Sequence, residues 1–211
     1  SVLAVSSKGM LLNAPDIYME KIAIGPGLPK NVVDLDYSVE KNIKQLSEAK
    51  NTTPNKLTAC ILKRPRHNSI IESLKKLGVK INFITDGDVS GIITLADDNK
   101  DNDIYIGTGG GPEGVLAAAA LKCLGCQMQT RLKFQNDEEK IRSKKLGIDD
   151  INKKYNIEDM VKDDVIFCAT GVTNGDIVQG IKDFGEYFMC ETLLLHHSAK
   201  TNKIIKKKVK K

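Results

Sequence analysis

Aromatic residues are scarce in this chain: no tryptophan, five phenylalanines and five tyrosines. Its core therefore has to be built from Ile, Leu, Val and Ala. No apolar run reaches the ~18 residues that a membrane-spanning helix needs. No charged-then-apolar leader opens the sequence, which points to a cytoplasmic protein. Nor does a methionine or lead-in precede the strand-like Ser1–Val5, as expected of a chain cut from something longer. Cysteine is sparse and odd in number, with Cys60, Cys123, Cys126, Cys168 and Cys190 lying in apolar runs. Such a set reads as reduced, buried thiols in a reducing compartment. Cys123 and Cys126 form a CxxC, but no second Cys/His pair at zinc spacing accompanies it.

Lysine accumulates at the end. The formal net charge of +5 leans on Lys203, Lys206, Lys207, Lys208, Lys210 and Lys211, without which the balance is slightly acidic. No aromatics are interleaved with these lysines, so the run reads as a solvated basic tail rather than a nucleic-acid-binding surface. The 211 residues can bury a good core as one domain or two small ones. The polar, proline-broken stretch from Asn51 to Asn55 is the candidate boundary.

After that boundary, strand and helix signals alternate. Leu57–Leu62, Val79–Ile84, Asp103–Ile106 and Val165–Cys168 read as strands. His67–Leu77, Glu138–Leu146, Ile157–Val161 and Asp176–Phe184 read as helices, with Val89–Ala96 a short one; ahead of the boundary, Ser38–Lys50 also has helical spacing. Glu186–His197 and Thr201–Val209 read as two strands joined by a turn. The alternation predicts an α/β layer with parallel strands, whose functional loops gather at the strands' carboxyl ends.

The stretch most worth reading closely is Gly107-Thr-Gly-Gly-Gly-Pro-Glu-Gly114. It separates the Asp103–Ile106 strand from an apolar, alanine-rich helix, with Pro112 at a first-turn position and Gly125 at the stop. Free backbone N–H groups at a helix N-terminus suit an anion. Glu113 is either a first-turn carboxylate favoured by the helix dipole or a metal ligand beside a phosphate. Gly109-x-Gly111-x-x-Gly114 also matches a dinucleotide fingerprint. That pattern asks for an acidic residue roughly 20 positions on, where this chain has Gln129, Arg131 and Lys133.

Two more strand-end loops are chemically distinctive. Lys63-Arg-Pro-Arg-His67 carries two guanidiniums able to pair with a phosphate, or simply two surface arginines before a helix. His67 reads as a helix-start residue. Asp86-Gly87-Asp88 offers carboxylates for sugar hydroxyls, for a metal, or for capping the next helix. A fourth loop, Ala169 to Asp176, has hydroxyls, glycines and one acid without distinctive spacing. Basic, acidic and amide-rich loops at neighbouring strand ends together suit a sugar phosphate and a cation.

Several of these stretches resemble the class II fructose-1,6-bisphosphatases. They are Tyr-Met-Glu-Lys at 18–21, Arg-Pro-Arg-His at 64–67, Asp-Gly-Asp-Val at 86–89 and Gly-Gly-Gly-Pro-Glu-Gly at 109–114. Leu-Ala-Ala-Ala-Ala-Leu-Lys-Cys at 116–123, Met-Gln-Thr-Arg-Leu at 128–132 and Ala-Thr-Gly-Val-Thr at 169–173 extend the likeness. It runs from about Ser1 to Ile205 in the family's order. Gly111 stands where the family pattern has Ala, Thr130 where it has Gly, and the lysine run is unfamiliar.

The resemblance implies a sugar-phosphatase-like layered α/β sandwich with the N-terminal part of its first domain missing. Residues 1–56 would be the remainder of the N-terminal phosphatase domain, 57–202 an α/β substrate-binding domain, and 203–211 a basic tail. It implies hydrolysis of the 1-phosphate of fructose 1,6-bisphosphate in gluconeogenesis, dependent on Mn²⁺ or Mg²⁺. Glu113 would be a metal ligand; Tyr18, Arg64, Pro65, Arg66, Asp86, Gly87, Asp88 and Gly110 would bind substrate. The family's remaining acidic ligands and its water-positioning segment are expected upstream of Ser1, so no catalytic residue is identifiable here. A homo-oligomer, dimer or tetramer, is expected. Two alternatives stay open: sedoheptulose 1,7-bisphosphate as substrate, and a non-catalytic sugar-phosphate-binding fragment.

Overall fold

The computed structural model describes residues 1–97 and 99–211. Strand β1 (Val2–Ser6) leads to β2 (Tyr18–Ile24) and helix α1 (Val39–Ala49). Then come β3 (Thr58–Leu62), α2 (Asn68–Lys76), β4 (Lys80–Ile84), α3 (Asp88–Ile93) and β5 (Ile104–Gly110). Helix α4 (Gly111–Leu124), β6 (Gln127–Lys133), α5 (Asp137–Lys145), β7 (Lys154–Asn156) and α6 (Ile157–Met160) follow. The chain closes with β8 (Val165–Thr170), β9 (Lys182–Asp183), β10 (Tyr187–His196) and β11 (Thr201–Lys210).

Two sheets result. One has six strands in the order β4-β3-β5-β2-β6-β7; the other runs β1-β8-β10-β11, with β9 also pairing β10. Helix α4 lies between them, in contact with β1 and β8 of one sheet and with β2, β5 and β6 of the other. This explains why its surface is apolar on every side: Ala117 to Leu121 are all fully buried. On the far face of the six-stranded sheet, Ile43 and Leu46 of α1 and Leu74 of α2 close a second core over Ile22, Ile24 and Ile61. Helix α1 starts where expected, with the Ser38 hydroxyl accepting from Lys41 N–H at 3.2 Å. The layered α/β sandwich anticipated from the sequence is the fold observed.

The strand directions differ from a parallel layer. Only β3 is parallel to its neighbours β4 and β5; β2 is antiparallel to both β5 and β6, and the β1-containing sheet is antiparallel throughout. The cause is non-local: β2 inserts between β5 and β6, which local alternation cannot reveal. It also means that residues on either side of the expected break at 56/57 share one sheet, and the stretch Asn51–Asn55 is a short link between α1 and β3.

Two further expectations are corrected. Residues 176–184 form no helix. The Asn174 side chain accepts from Gly180 N–H at 2.9 Å, Gly175 N–H bonds Val178 O at 3.1 Å, and Ile181 N–H bonds Val172 O at 3.2 Å. These local bonds replace the helical ladder. The lysine run is the outer part of β11, which pairs with β10 along all ten residues. Lys206 bonds Glu191 at 3.0 Å and Lys208 Nζ lies 3.7 Å from the Tyr187 ring centroid. Lysines on an edge strand discourage pairing with other chains.

Candidate functional site

A cleft of about 670 Å³ opens where β3, β4 and β5 end and β2 begins, facing the carboxyl end of β8. Tyr18, Arg64, Arg66, Asp86, Gly87, Asp88, Gly110 and Glu113, drawn from separate stretches of the sequence, all line it. Pro65 does not; it opens the single 3-10 turn Pro65–His67 that presents the two arginines. The fourth loop joins them, with Thr170, Gly171 and Asp176 on the opposing wall. A second hollow, of about 510 Å³, lies at the other end of β2, near Lys30, Lys122 and His197, and takes in none of the anticipated residues.

The basic wall is held by β5. Arg66 donates from Nε and Nη2 to the carbonyl of Thr108 at 3.0 and 2.8 Å, and its guanidinium lies 4.8 Å from the Tyr18 ring centroid. That leaves Nη1 without a protein partner among the described residues. Below it, His67 Nε2 accepts from Thr108 N–H at 2.8 Å while Nδ1 lies 2.7 Å from Leu62 O. This pair of bonds assigns the ring proton to Nδ1 and a neutral imidazole. Burial pushes the His67 pKa below its ordinary value. His67 immediately precedes α2, as expected of a helix-start residue, and it is also a pin between β3 and β5, only 1% exposed.

The glycine stretch is not a loop. Strand β5 continues through Gly107–Gly110, in register with β2 so that Tyr18 lies opposite Gly110, and α4 begins at the next residue. Gly111 N–H is already committed to Ile17 O at 2.8 Å. The expectation of three glycines free to cradle an anion is therefore corrected: pairing with β2 consumes backbone groups there. The glycines matter instead for closeness. A Cβ at Gly110 would fall on the Glu113 carboxylate, which folds back over that residue from the first turn of α4. A Cβ at Gly109 would fall on Asp88 Oδ2 and lie 3.1 Å from Lys21 Nζ.

Lys21 was not singled out by the sequence reading. It lies on β2 between Met19 and Ala23, on the face packed against α4, and is fully buried. Its Nζ is paired with Asp88 Oδ2. Burial draws the Lys21 pKa down, with Asp88 and Glu113 pulling it back up. The available signal was a charged residue at an inward position of an otherwise apolar strand.

The acids play unequal parts. Asp86 is exposed and its carboxylate accepts from Gly87 N–H at 2.9 Å. Gly87 itself takes a left-handed conformation, φ 69°, which turns the chain from β4 into α3. Asp88 is bound to Lys21, and Glu113 is exposed in the cleft. Among the described residues no group of three His, Cys, Asp or Glu side chains stands close enough to hold a metal ion. These residues alone do not compose a metal site: Glu113 is one open carboxylate, and a divalent cation would need further ligands from a bound phosphate or from elsewhere. The CxxC thiols are free. Burial pushes Cys123 up to about 11 and Cys126 up to about 12, so both are neutral thiols at pH 7.

Comparison with known proteins gives a consistent set of relatives. The family model described as "Bacterial fructose-1,6-bisphosphatase, glpX-encoded" matches residues 1–209. A fructose-1,6-bisphosphatase class 2 of Haemophilus influenzae is 36% identical over 214 residues, which cover 95% of this chain and 64% of the relative. Fructose-1,6-bisphosphatase 1 class 2 of Escherichia coli K12 is 38% identical over 215 residues, covering 95% and 63%. A Synechococcus relative named D-fructose 1,6-bisphosphatase class 2/sedoheptulose 1,7-bisphosphatase is 35% identical, covering 97% and 62%. The chain spans somewhat less than two thirds of the length of these relatives.

Proposed function

We propose that this chain, which belongs to the bacterial, glpX-encoded fructose-1,6-bisphosphatase family, carries the sugar-bisphosphate-binding cleft of an enzyme that hydrolyses the 1-phosphate of fructose 1,6-bisphosphate in gluconeogenesis. One observation carries this reading: arginines, carboxylates, a tyrosine and the first turn of α4, far apart in sequence, converge on a single cleft.

Each group has a task suited to it. Arg64 and the free edge of Arg66 pair with a phosphate, and Tyr18 packs the Arg66 guanidinium in place. Asp86 and Asp88 accept hydrogen bonds from sugar hydroxyls. Gly110 lets the substrate and Glu113 approach the end of β5. Glu113 would supply one ligand to Mn²⁺ or Mg²⁺, which when bound polarises phosphoryl oxygens and acidifies water. The groups that position the attacking water come, in this reading, from the part of the relatives that the chain does not span.

No helix among the described residues is long and apolar enough to cross a membrane. Together with unpaired cysteines, this supports a cytoplasmic protein, and a homo-oligomer is the proposed assembly. Sedoheptulose 1,7-bisphosphate is the second substrate to test, because the Synechococcus relative bears both names. Phosphate release from fructose 1,6-bisphosphate with Mn²⁺, compared with Glu113→Ala, is the direct assay. Metal-dependent release lost in the variant supports catalysis by this chain. No release, but substrate-dependent thermal stabilisation, supports a binding unit. Absence of both rejects the reading.

A further inference from the structure

Burying an ammonium needs a reason. A buried ion pair is not a stabilising device in general, because desolvation offsets the attraction, and an apolar pair of similar volume serves stability as well or better. Yet Lys21 is fully enclosed. A Cβ at Gly109 would fall on Asp88 Oδ2 and stand 3.1 Å from Lys21 Nζ, and one at Gly114 would fall on Met19 Sδ and stand 3.2 Å from Lys21 Cε. Both β5 and α4 thus present a glycine where the Lys21–Asp88 pair and the neighbouring Met19 pack beneath the cleft. The lysine holds Asp88 Oδ2. Asp88 Oδ1 has no protein partner among the described residues, and Asp88 lines the cleft.

We propose that Lys21 is a positioning residue: its ammonium fixes the Asp88 carboxylate at the cleft wall, committing one oxygen inward and leaving the other to accept from a ligand hydroxyl. Asp88 opens a six-residue helix entered through the left-handed Gly87 and is only 5% exposed; among the described residues its side chain has one bonding partner, Lys21.

The ligand arm of the test rests on the sugar-bisphosphate reading; the other arm does not. In the first, fructose 1,6-bisphosphate is titrated calorimetrically into the wild-type chain, Lys21→Met, Asp88→Asn and the double variant. Lys21→Met is expected to weaken binding roughly tenfold, comparably to Asp88→Asn. In the Asp88→Asn background it should add less than about twofold, because coupled groups are not additive. Losses that multiply, or wild-type affinity in Lys21→Met, overturn the proposal. In the second arm, the Asp88 side-chain carboxyl carbon is followed by NMR without ligand. Its signal should shift and broaden in Lys21→Met, while an unchanged signal overturns the proposal. Thermal melts accompany both arms, with Lys21→Gln substituting if Lys21→Met does not fold. If the wild-type chain fails to bind the sugar bisphosphate, the functional reading fails alone and the NMR arm still decides the role of Lys21.

Discussion

Gly110→Ala separates the two things a glycine at a cleft can do. The residue has φ −66° and ψ 146°, a conformation open to any L-residue, so the substitution strains no dihedral. Losing a glycine from the unfolded chain stabilises by about 0.4–1 kcal/mol. Alanine is a poorer N-cap than glycine and costs about 0.5–1 kcal/mol at the start of α4. These offset each other. The remaining conflict is between the new methyl and the Glu113 carboxylate, which is the end of a flexible, exposed side chain and can swing away. Urea denaturation should therefore place the variant within about 1 kcal/mol of wild type. Ligand binding should suffer, because Glu113 can no longer fold back over the end of β5. An affinity loss of at least about tenfold for fructose 1,6-bisphosphate with Mn²⁺ is expected, or about 1.4 kcal/mol. Glu113→Ala should lose a similar amount. A stability loss above about 2 kcal/mol, or unchanged binding, would refute the assignment of Gly110 to clearance for Glu113.

Other perturbations test the scaffold. The His67 pKa is depressed by burial from its ordinary 6.5, so the unfolded chain takes up the proton first as pH falls. Its contribution to stability is whole above pH 6.5 and is lost as pH drops through the lower folded value. In His67→Gln, urea midpoints measured across the acid range should fall less steeply than in wild type; an equal slope would contradict the neutral-pin reading. Leu46, on the fully buried face of α1, should cost about 2–5 kcal/mol as Leu46→Ala, measured by the same denaturation, with the cleft ligand still bound. Replacing Lys203 and Lys207 by Val should promote concentration-dependent association through the β11 edge, read by size-exclusion chromatography; unchanged elution would assign the lysines another purpose.

What the sequence could show was local chemistry. Arg64, Arg66, Asp86, Asp88 and Glu113 are recognisable because each ends a strand or opens a helix, and all of them reach one cleft. The α4 helix was legible from its proline, its glycine stop and its unbroken apolar surface. What could not be read depended on distant partners. Strand β5 was expected to end at Ile106, but pairing with β2 carries it to Gly110. That pairing turns a presumed anion loop into an ordered strand end. Lys21 stayed hidden because its meaning lies in Asp88, 67 residues away. His67 was underrated for the same reason: its second partner is Thr108. The segment 176–184 carried helical spacing, but Asn174 and Gly180 close a loop through side-chain bonds that periodicity does not register.

The most direct test of the cleft assignment is a crystal structure of the chain soaked with fructose 1,6-bisphosphate and Mn²⁺. The account predicts a phosphate within hydrogen-bonding reach of Arg64 and Arg66, sugar hydroxyls against Asp86 and Asp88, and the cation at Glu113. Density for the ligand in the hollow beside Lys30, Lys122 and His197 instead, with the main cleft unchanged, would contradict it.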